Sequence, residues 1–462
     1  MPLDSTHRQE AAVLRSIGDV FAQVARRFTP SPFVFAILLT FVVWAAGVGL
    51  TDSGPFDMVV YWYEGFWNLL TFSMQVVIIL LSGYVLATSP QARRLVEHLA
   101  TLPASSGQAI LLIAGVTIVT GWLNWGLGLV TGAVMAVAVS ESAGRRGIPI
   151  HYPLAAAAGY MGILIFGSGL SSSAPLLVNT EDHFLFEEIG LVPVAETILT
   201  PYNLITTAAF LLVIPFVLRA MHPSEEECRP ISAEAVRAFR EDSSGAQEEE
   251  KLLAARLEES RWLSYPVALT GMGFVGWFFF TRGLALDLNI VNFTLIMVGM
   301  ALYGTPAAYV RAMQRAVGAS TGIILQFPFY AGMMGMMTLS GLVGVFANAI
   351  ISVSTPTTFP LASMFSAGLV NFFVPSAGGQ WAVQGPILME AARALDVSVG
   401  QTIVAFAYGD QLTNMIQPFW AIPLLGTTDL EARDLLGYTA VAMLVAAVIF
   451  GAGVSLLPLV TG

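Results

Sequence analysis

Apolar stretches of about twenty residues recur from one end of this chain to the other, and that is the length a helix needs to cross the ~30 Å hydrocarbon layer of a bilayer. They run 32–50, 68–88, 154–178, 202–221, 263–281, 286–303, 319–340, 401–426 and 434–457. Two further apolar regions, 108–142 and 357–393, are each interrupted by a polar, glycine-containing break. Of the 462 residues, 56% are hydrophobic and only 11% charged, against about 25% charged in soluble domains. The expectation is an all-α polytopic membrane protein with about nine transmembrane helices plus two re-entrant hairpins, arranged in two inverted repeats.

The breaks are the informative part. Asn371 to Pro386 reads NFFVPSAGGQWAVQGP, polar and glycine-rich inside apolar sequence. An earlier stretch, Asn124-Trp125-Gly126-Leu127-Gly128, echoes it. Backbone that leaves the helix at membrane depth must be buried in protein or face water, which makes such breaks candidate binding sites. The arm 108–123 would span roughly 24 Å as a helix, short of a crossing. That favours a re-entrant hairpin, with a closely spaced pair of crossings as the alternative. The two tips are expected to meet at one substrate site.

Charge places the ends. With the N-terminus inside and the hairpins returning to their own sides, only Arg282 and Arg393 of the twenty Lys and Arg residues fall outside, as the positive-inside rule expects. The C-terminus is then outside and the membrane is the cytoplasmic (inner) one. The domain plan is an amphipathic cytoplasmic segment 1–31, a first repeat 32–221, a charged linker 222–262, a connecting helix 263–285 and a second repeat 286–462. Each repeat reads crossing, amphipathic segment, crossing with a glutamine (Gln75, Gln326), interrupted hairpin, broken crossing, crossing. An odd number of crossings before the second repeat inverts it, as in many secondary transporters.

Asp410 is the most informative single residue. It lies midway along 401–426 with no basic residue nearby in sequence, and an ionisable group at that depth usually marks an ion or proton path. The plainer alternative is an acid that only hydrogen-bonds a helix end. The tips should present peptide N–H groups at helix starts, which suit a carboxylate, and neither tip nor either broken crossing carries Arg or Lys. The candidate substrate-binding residues are Asn124, Gly126, Gly128, Asn371, Ser376, Gly378, Gly379 and Gln380 in the tips. Ser171, Ser172, Ser173, Asn414 and Gln417 join them in the broken crossings. The serine run could equally be a helix break with its hydroxyls bonded to backbone. Trp125 and Trp381 beside the tips could pack on substrate or simply fill space. Asp410 is the candidate for a coupling ion, with a Na+ near it as one option and its ligands unassigned. No zinc, phosphate-loop or nucleophile motif occurs, the single cysteine excludes an internal disulfide, and the net charge of −11 gives no reason to expect nucleic acid.

At several of these places the chain resembles the bacterial short-chain fatty acid transporter family (AtoE type). The matching pieces are Gly65-Phe66-Trp67-Asn68-Leu69-Leu70, Asn124-Trp125-Gly126, Gln326-Phe327-Pro328-Phe329-Tyr330-Ala331-Gly332, Gln384-Gly385-Pro386, Gln417-Pro418-Phe419-Trp420-Ala421 and the linker run Arg256-Leu257-Glu258-Glu259-Ser260-Arg261. The resemblance runs from about Arg27 to the last crossing. It implies an ion-coupled carrier of acetoacetate, butyrate and similar acids, a homodimer, and an elevator-like movement of the hairpin domain. The chain departs from that pattern at Asp410, often Glu in the family, at Gln380, often His, and at Ala377, which replaces a glycine. The expected function is secondary active transport of short-chain monocarboxylates with symported H+ or Na+ and no other cofactor. An exporter or cation/proton antiporter is the rival within the class. A channel would be distinguished by unsaturable flux, and a membrane enzyme lacks any nucleophile–base pair.

Overall fold

In a computed structural model, residues 32–241, 253–456 and 458 are described, and every regular element among them is a helix. The segment 1–31, expected to be an amphipathic surface helix, lies outside the described residues. The first half comprises α1 (Pro32–Leu50), α2 (Pro55–Gly65), α3 (Leu70–Ala87), α4 (Pro90–Ala100), α5 (Ser106–Leu123) and α6 (Trp125–Arg145). It continues with the broken pair α7 (Tyr152–Tyr160) and α8 (Ser173–Val178), then α9 (Pro201–Ala220). The linker carries helices at Ala233–Glu241 and Leu253–Glu258. After it come α10 (Arg261–Arg282), α11 (Leu288–Tyr303), α12 (Pro306–Ala316), α13 (Thr321–Leu339), α14 (Leu342–Val353), α15 (Phe359–Asn371) and α16 (Ala377–Ala394). The broken pair α17 (Val399–Thr413) and α18 (Pro418–Thr428), then α19 (Ala432–Ser455), complete the chain.

Nine helices among the described residues are long and apolar enough to cross a membrane. They are not the nine runs expected from sequence. Both arms of the first hairpin qualify, whereas α11 has only 16 residues and 401–426 is divided into α17 and α18. The first arm is also longer than expected: α5 begins at Ser106 because Ser105 Oγ accepts the Gln108 N–H, and its 18 residues span roughly 27 Å. Two helices absent from the sequence expectation, α4 and α14, follow the two glutamine-bearing helices α3 and α13.

The halves interlock. α1 and α2 pack along α13 of the other half, while α11 and α12 pack along α3. Gln75 fastens one of these contacts: its Nε2 donates to Asn289 Oδ1 (2.8 Å) and Asn292 Nδ2 donates to the Gln75 carbonyl (2.9 Å). Such side-chain bonds hold helices together where no hydrophobic gain separates lipid from protein. Gln326, its counterpart, instead accepts from Tyr330 within its own helix.

Two buried cores result. One draws on α4–α7, α9 and α17–α19, with Met364 of α15; the other draws on α1–α3, α8, α11 and α13–α16, with Trp125 of α6 and Ile403, Phe406 and Ala407 of α17. Inside the first, α6 and α7 cross so closely that a Cβ on Gly132 would strike the Gly159 carbonyl. The start of the linker is tied onto this core. Tyr152 N–H donates to the Arg229 carbonyl (2.9 Å) and Arg229 N–H donates to His151 Nδ1 (3.2 Å). His151 N–H in turn donates to His222 Nε2 (3.2 Å), and Arg229 pairs with Asp434 (2.8 Å).

Candidate functional site

Four interruptions in the helices are hydrogen-bonded to one another in a chain. At the first hairpin only Asn124 leaves the helix; its Oδ1 caps α6 at the Leu127 N–H (2.8 Å). The next N–H, that of Trp125, donates to Ser171 Oγ in the break between α7 and α8 (2.9 Å). That same broken crossing reaches the second: Gly167 N–H donates to Gln411 Oε1 (2.6 Å) and Tyr160 OH donates to the Asn414 carbonyl (3.0 Å). The second broken crossing then holds the second hairpin. Asn371 Nδ2 donates to Asn414 Oδ1 (2.7 Å) and Thr413 Oγ1 (2.9 Å), and Gln417 Nε2 donates to the Asn371 carbonyl (2.7 Å). Peptide groups freed by the breaks thus find side-chain partners, as they must where no solvent reaches them.

A small cavity lies where these elements meet. Its wall is formed by Val76 of α3, Trp125 of α6, Ile163 and Phe166 from the first broken crossing, and Ser173 at the start of α8. Ile323 of α13, the α16 start Ser376-Ala377-Gly378, and Trp420 of α18 close it. Its volume is about 30 Å³, room for roughly one or two waters. No Lys, Arg, Asp or Glu lines it. Ser376 Oγ caps α16 at the Gly379 N–H (3.4 Å), and the Ala377 and Gly378 N–H groups, in the first turn of the helix, have no intrahelical partner. Ser173 is 5% exposed, and its hydroxyl makes no hydrogen bond to a described residue. The α16 start is pressed onto its neighbours: a Cβ on Gly378 would lie 2.8 Å from Phe72 Cζ.

The expected residues therefore divide. Ser173, Ser376 and Gly378 line the cavity, and Trp125, which could pack on substrate or simply fill space, does so as well. Asn124 and Asn371 do not line it; they brace the tips from behind. Gly126 and Gly128 lie in the first turn of α6, packed against Leu80 and Gly121 respectively. Ser171 orients Trp125, and Ser172 is the residue before α8. The polar stretch at the second tip is less open than its composition suggests. Only 372–376 lies outside helix, and Gly379, Gln380 and Gln384 sit within α16. Gln380 Nε2 donates to the Ala367 carbonyl (2.8 Å) and to Gln384 Oε1 (2.9 Å), and Gln384 continues to Ser366 (2.9 Å). Asn414 and Gln417 hold Asn371, as described. Trp381, at 0% exposure, packs edge-on against Phe406 away from the cavity.

Asp410 lies within α17 rather than in its break, 1% exposed. Its Oδ1 has no hydrogen-bond partner, and no cationic side chain pairs with it among the described residues. It does not line the cavity. The residues that sequence inspection missed are Val76, Ile163, Phe166, Ile323 and Trp420. Val76, Ile163 and Ile323 are ordinary apolar residues within apolar runs, so nothing in their local sequence marks them; Phe166 borders the Gly167-Ser168-Gly169 break and Trp420 lies in the Gln417-Pro418-Phe419-Trp420-Ala421 stretch, yet neither position says which way the ring faces.

Similarity to known proteins places the chain in a family. Residues 13–457 match the family model described as short chain fatty acid transporter. A Haemophilus influenzae protein named "Putative short-chain fatty acid transporter" is 38% identical over 431 residues, which cover 92% of this chain and 95% of that protein. An Escherichia coli K12 protein of the same name is 38% identical over 430 residues, covering 93% and 97%. The crystal structure of the Alcanivorax borkumensis YdaH transporter aligns with a TM-score of 0.60 at 15% identity, over 93% of this chain and 97% of that one. Neisseria gonorrhoeae MtrF, of a class of antimetabolite efflux pumps, aligns with a TM-score of 0.56 at 14% identity, over 95% and 97%. At those identities the likeness is one of fold. The family match extends across nearly the whole chain and its relatives are alike over more than nine-tenths of it, so this multi-pass membrane protein belongs to the short-chain fatty acid transporter family and is a transporter rather than an enzyme.

Proposed function

We propose that the protein is a secondary active carrier that takes up short-chain monocarboxylates such as acetoacetate and butyrate across the cytoplasmic membrane by symport with H+ or Na+. The observation that carries the proposal is the convergence of both hairpin tips and both broken crossings on one enclosed cavity with apolar walls, two hydroxyls and a helix start. A monocarboxylate needs these things: peptide N–H groups and hydroxyls for one negative charge, and apolar surface for a short tail. The absence of Arg and Lys from the wall suits a single negative charge accompanied by a cation or proton.

Asp410 is the group that would answer to that ion. A buried carboxylate without a partner is costly unless a proton or a bound cation neutralises it. Its neighbour in sequence, Gln411, is bonded to the first broken crossing, so position 410 adjoins a bond that joins the two broken crossings. Residues of both buried cores meet at the cavity, and the carrier works as an inverted-repeat dimer with its N-terminus cytoplasmic, in which a hairpin-bearing body moves against the rest. At about 30 Å³ the cavity has to enlarge before a four-carbon acid enters, and movement of the hairpin-bearing body supplies that opening.

Reconstituted protein should accumulate labelled butyrate when a Na+ or H+ gradient is imposed, with a saturable rate. Saturable uptake that ignores both gradients would remove the symport, and outward movement of acid driven by an inward cation gradient would establish an antiporter instead.

A further inference from the structure

We infer that Trp125 and Trp420, facing Val76 and Ile323, form the acyl-chain pocket that sets the longest acid this carrier accepts; the inference rests on the monocarboxylate reading above. The two indoles meet edge to face with ring centroids 5.7 Å apart and planes at 83°, a favoured aromatic geometry. Trp125 is fixed from behind by its N–H bond to Ser171 and by the Asn124 cap beside it. Trp420 packs against both buried cores, so it stands at the boundary where one would move past the other.

The chemistry of the wall gives the ligand a direction. Its hydroxyls come from Ser173 and from Ser376 at the start of α16. A carboxylate docks there. Apart from the indole N–H groups the remaining side chains of the wall are hydrocarbon, and an alkyl tail lies against the indoles, Val76 and Ile323. Val76 and Ile323 come from α3 and α13, the two glutamine-bearing helices at equivalent places in the two halves. The tail is thus bounded by the two indoles and these two aliphatic side chains, of which Val76 and Trp125 are each 5% exposed. Fitted apolar pockets discriminate a single methylene by about tenfold or more.

The test is competition by straight-chain acids from acetate to octanoate against labelled butyrate uptake in proteoliposomes. Trp420→Phe and Ile323→Ala enlarge the pocket, and each should raise the preference for hexanoate over acetate about tenfold. Val76→Leu fills it and should shift the ranking towards acetate. Trp381→Phe, a buried tryptophan off the cavity, should leave the ranking as in the parent. If Trp420→Phe does not fold, the opposed shifts of Ile323→Ala and Val76→Leu carry the test. An unchanged ranking in folded variants overturns the pocket assignment while the monocarboxylate reading stands. A parent protein that carries none of these acids overturns both.

Discussion

Asp410 has one carboxyl oxygen that no donor reaches, in a helix whose next residue, Gln411, is bonded across to another broken helix. Changing the acid to an amide keeps its shape and removes its charge chemistry. Asp410→Asn is therefore expected to fold, to exchange labelled butyrate between equal pools, and to lose gradient-driven accumulation; accumulation equal to the parent's would remove the coupling role. Gly378 makes a separate demand, one of space. A methyl group there would press on Phe72 Cζ at 2.8 Å, and overpacking of this kind costs about 1–3 kcal/mol. Gly378→Ala should lower the unfolding temperature in detergent, and Phe72→Leu should recover part of the loss. At this scale the sequence was only half legible. Asp410 stands out because charge is rare in an apolar run. Val76 and Ile323 do not stand out, because only packing makes one valine or isoleucine part of a wall.

Among the elements, the breaks are held by a small number of side-chain bonds, and removing one exposes a buried peptide group. Gln411→Ala leaves the Gly167 N–H without its 2.6 Å acceptor, a loss of about 1–3 kcal/mol for an unsatisfied buried donor. Thermal unfolding should show it, and an unaltered midpoint would mean that the two broken crossings are not joined through this bond. The linker's attachment to the start of α7 depends on a histidine in its neutral form. His222 Nε2 accepts the His151 N–H while Nδ1 faces the Pro223 carbonyl, and burial lowers its pKa from the usual value while the Pro223 bond raises it somewhat. A group whose folded pKa is depressed contributes fully above its unfolded value, about 6.5, and loses that contribution as pH falls through the folded one. Trypsin cleavage within 222–241 should therefore rise as pH drops below about 6.5. His222→Gln, whose amide oxygen accepts without titrating, should flatten the profile; equal cleavage at all pH values in the parent would dissociate the histidine from the attachment. Hairpins and broken crossings were visible in sequence as polar, glycine-rich gaps. Their extent was not. Ser376 caps α16 at once, so glycines that looked like open loop belong to a helix.

For the whole molecule, the arrangement of two cores around one cavity carries the functional argument. Ile163 belongs to one core, while Ile323 packs on the other, and both line the cavity. If transport needs the cores to shift, a short thiol cross-link between Ile163→Cys and Ile323→Cys, with Cys228 replaced by Ser, should stop uptake and a reductant should restore it. Unimpeded uptake by fully cross-linked protein would rule out that relative motion.

The sequence by itself determined that the chain is a helical membrane protein, roughly where each long helix lies, and where those helices break. Run length, charge rarity and glycine content are local properties, and in a bilayer they leave the backbone no alternative to the helix. Only the tertiary structure decided which break meets which, that Asn124 and Asn371 brace the tips rather than line the cavity, and that two tryptophans and a pair of aliphatic side chains close it. Those facts depend on contacts between residues from about forty to several hundred positions apart, and an apolar side chain carries no mark of whether it will face lipid, a neighbouring helix or a substrate.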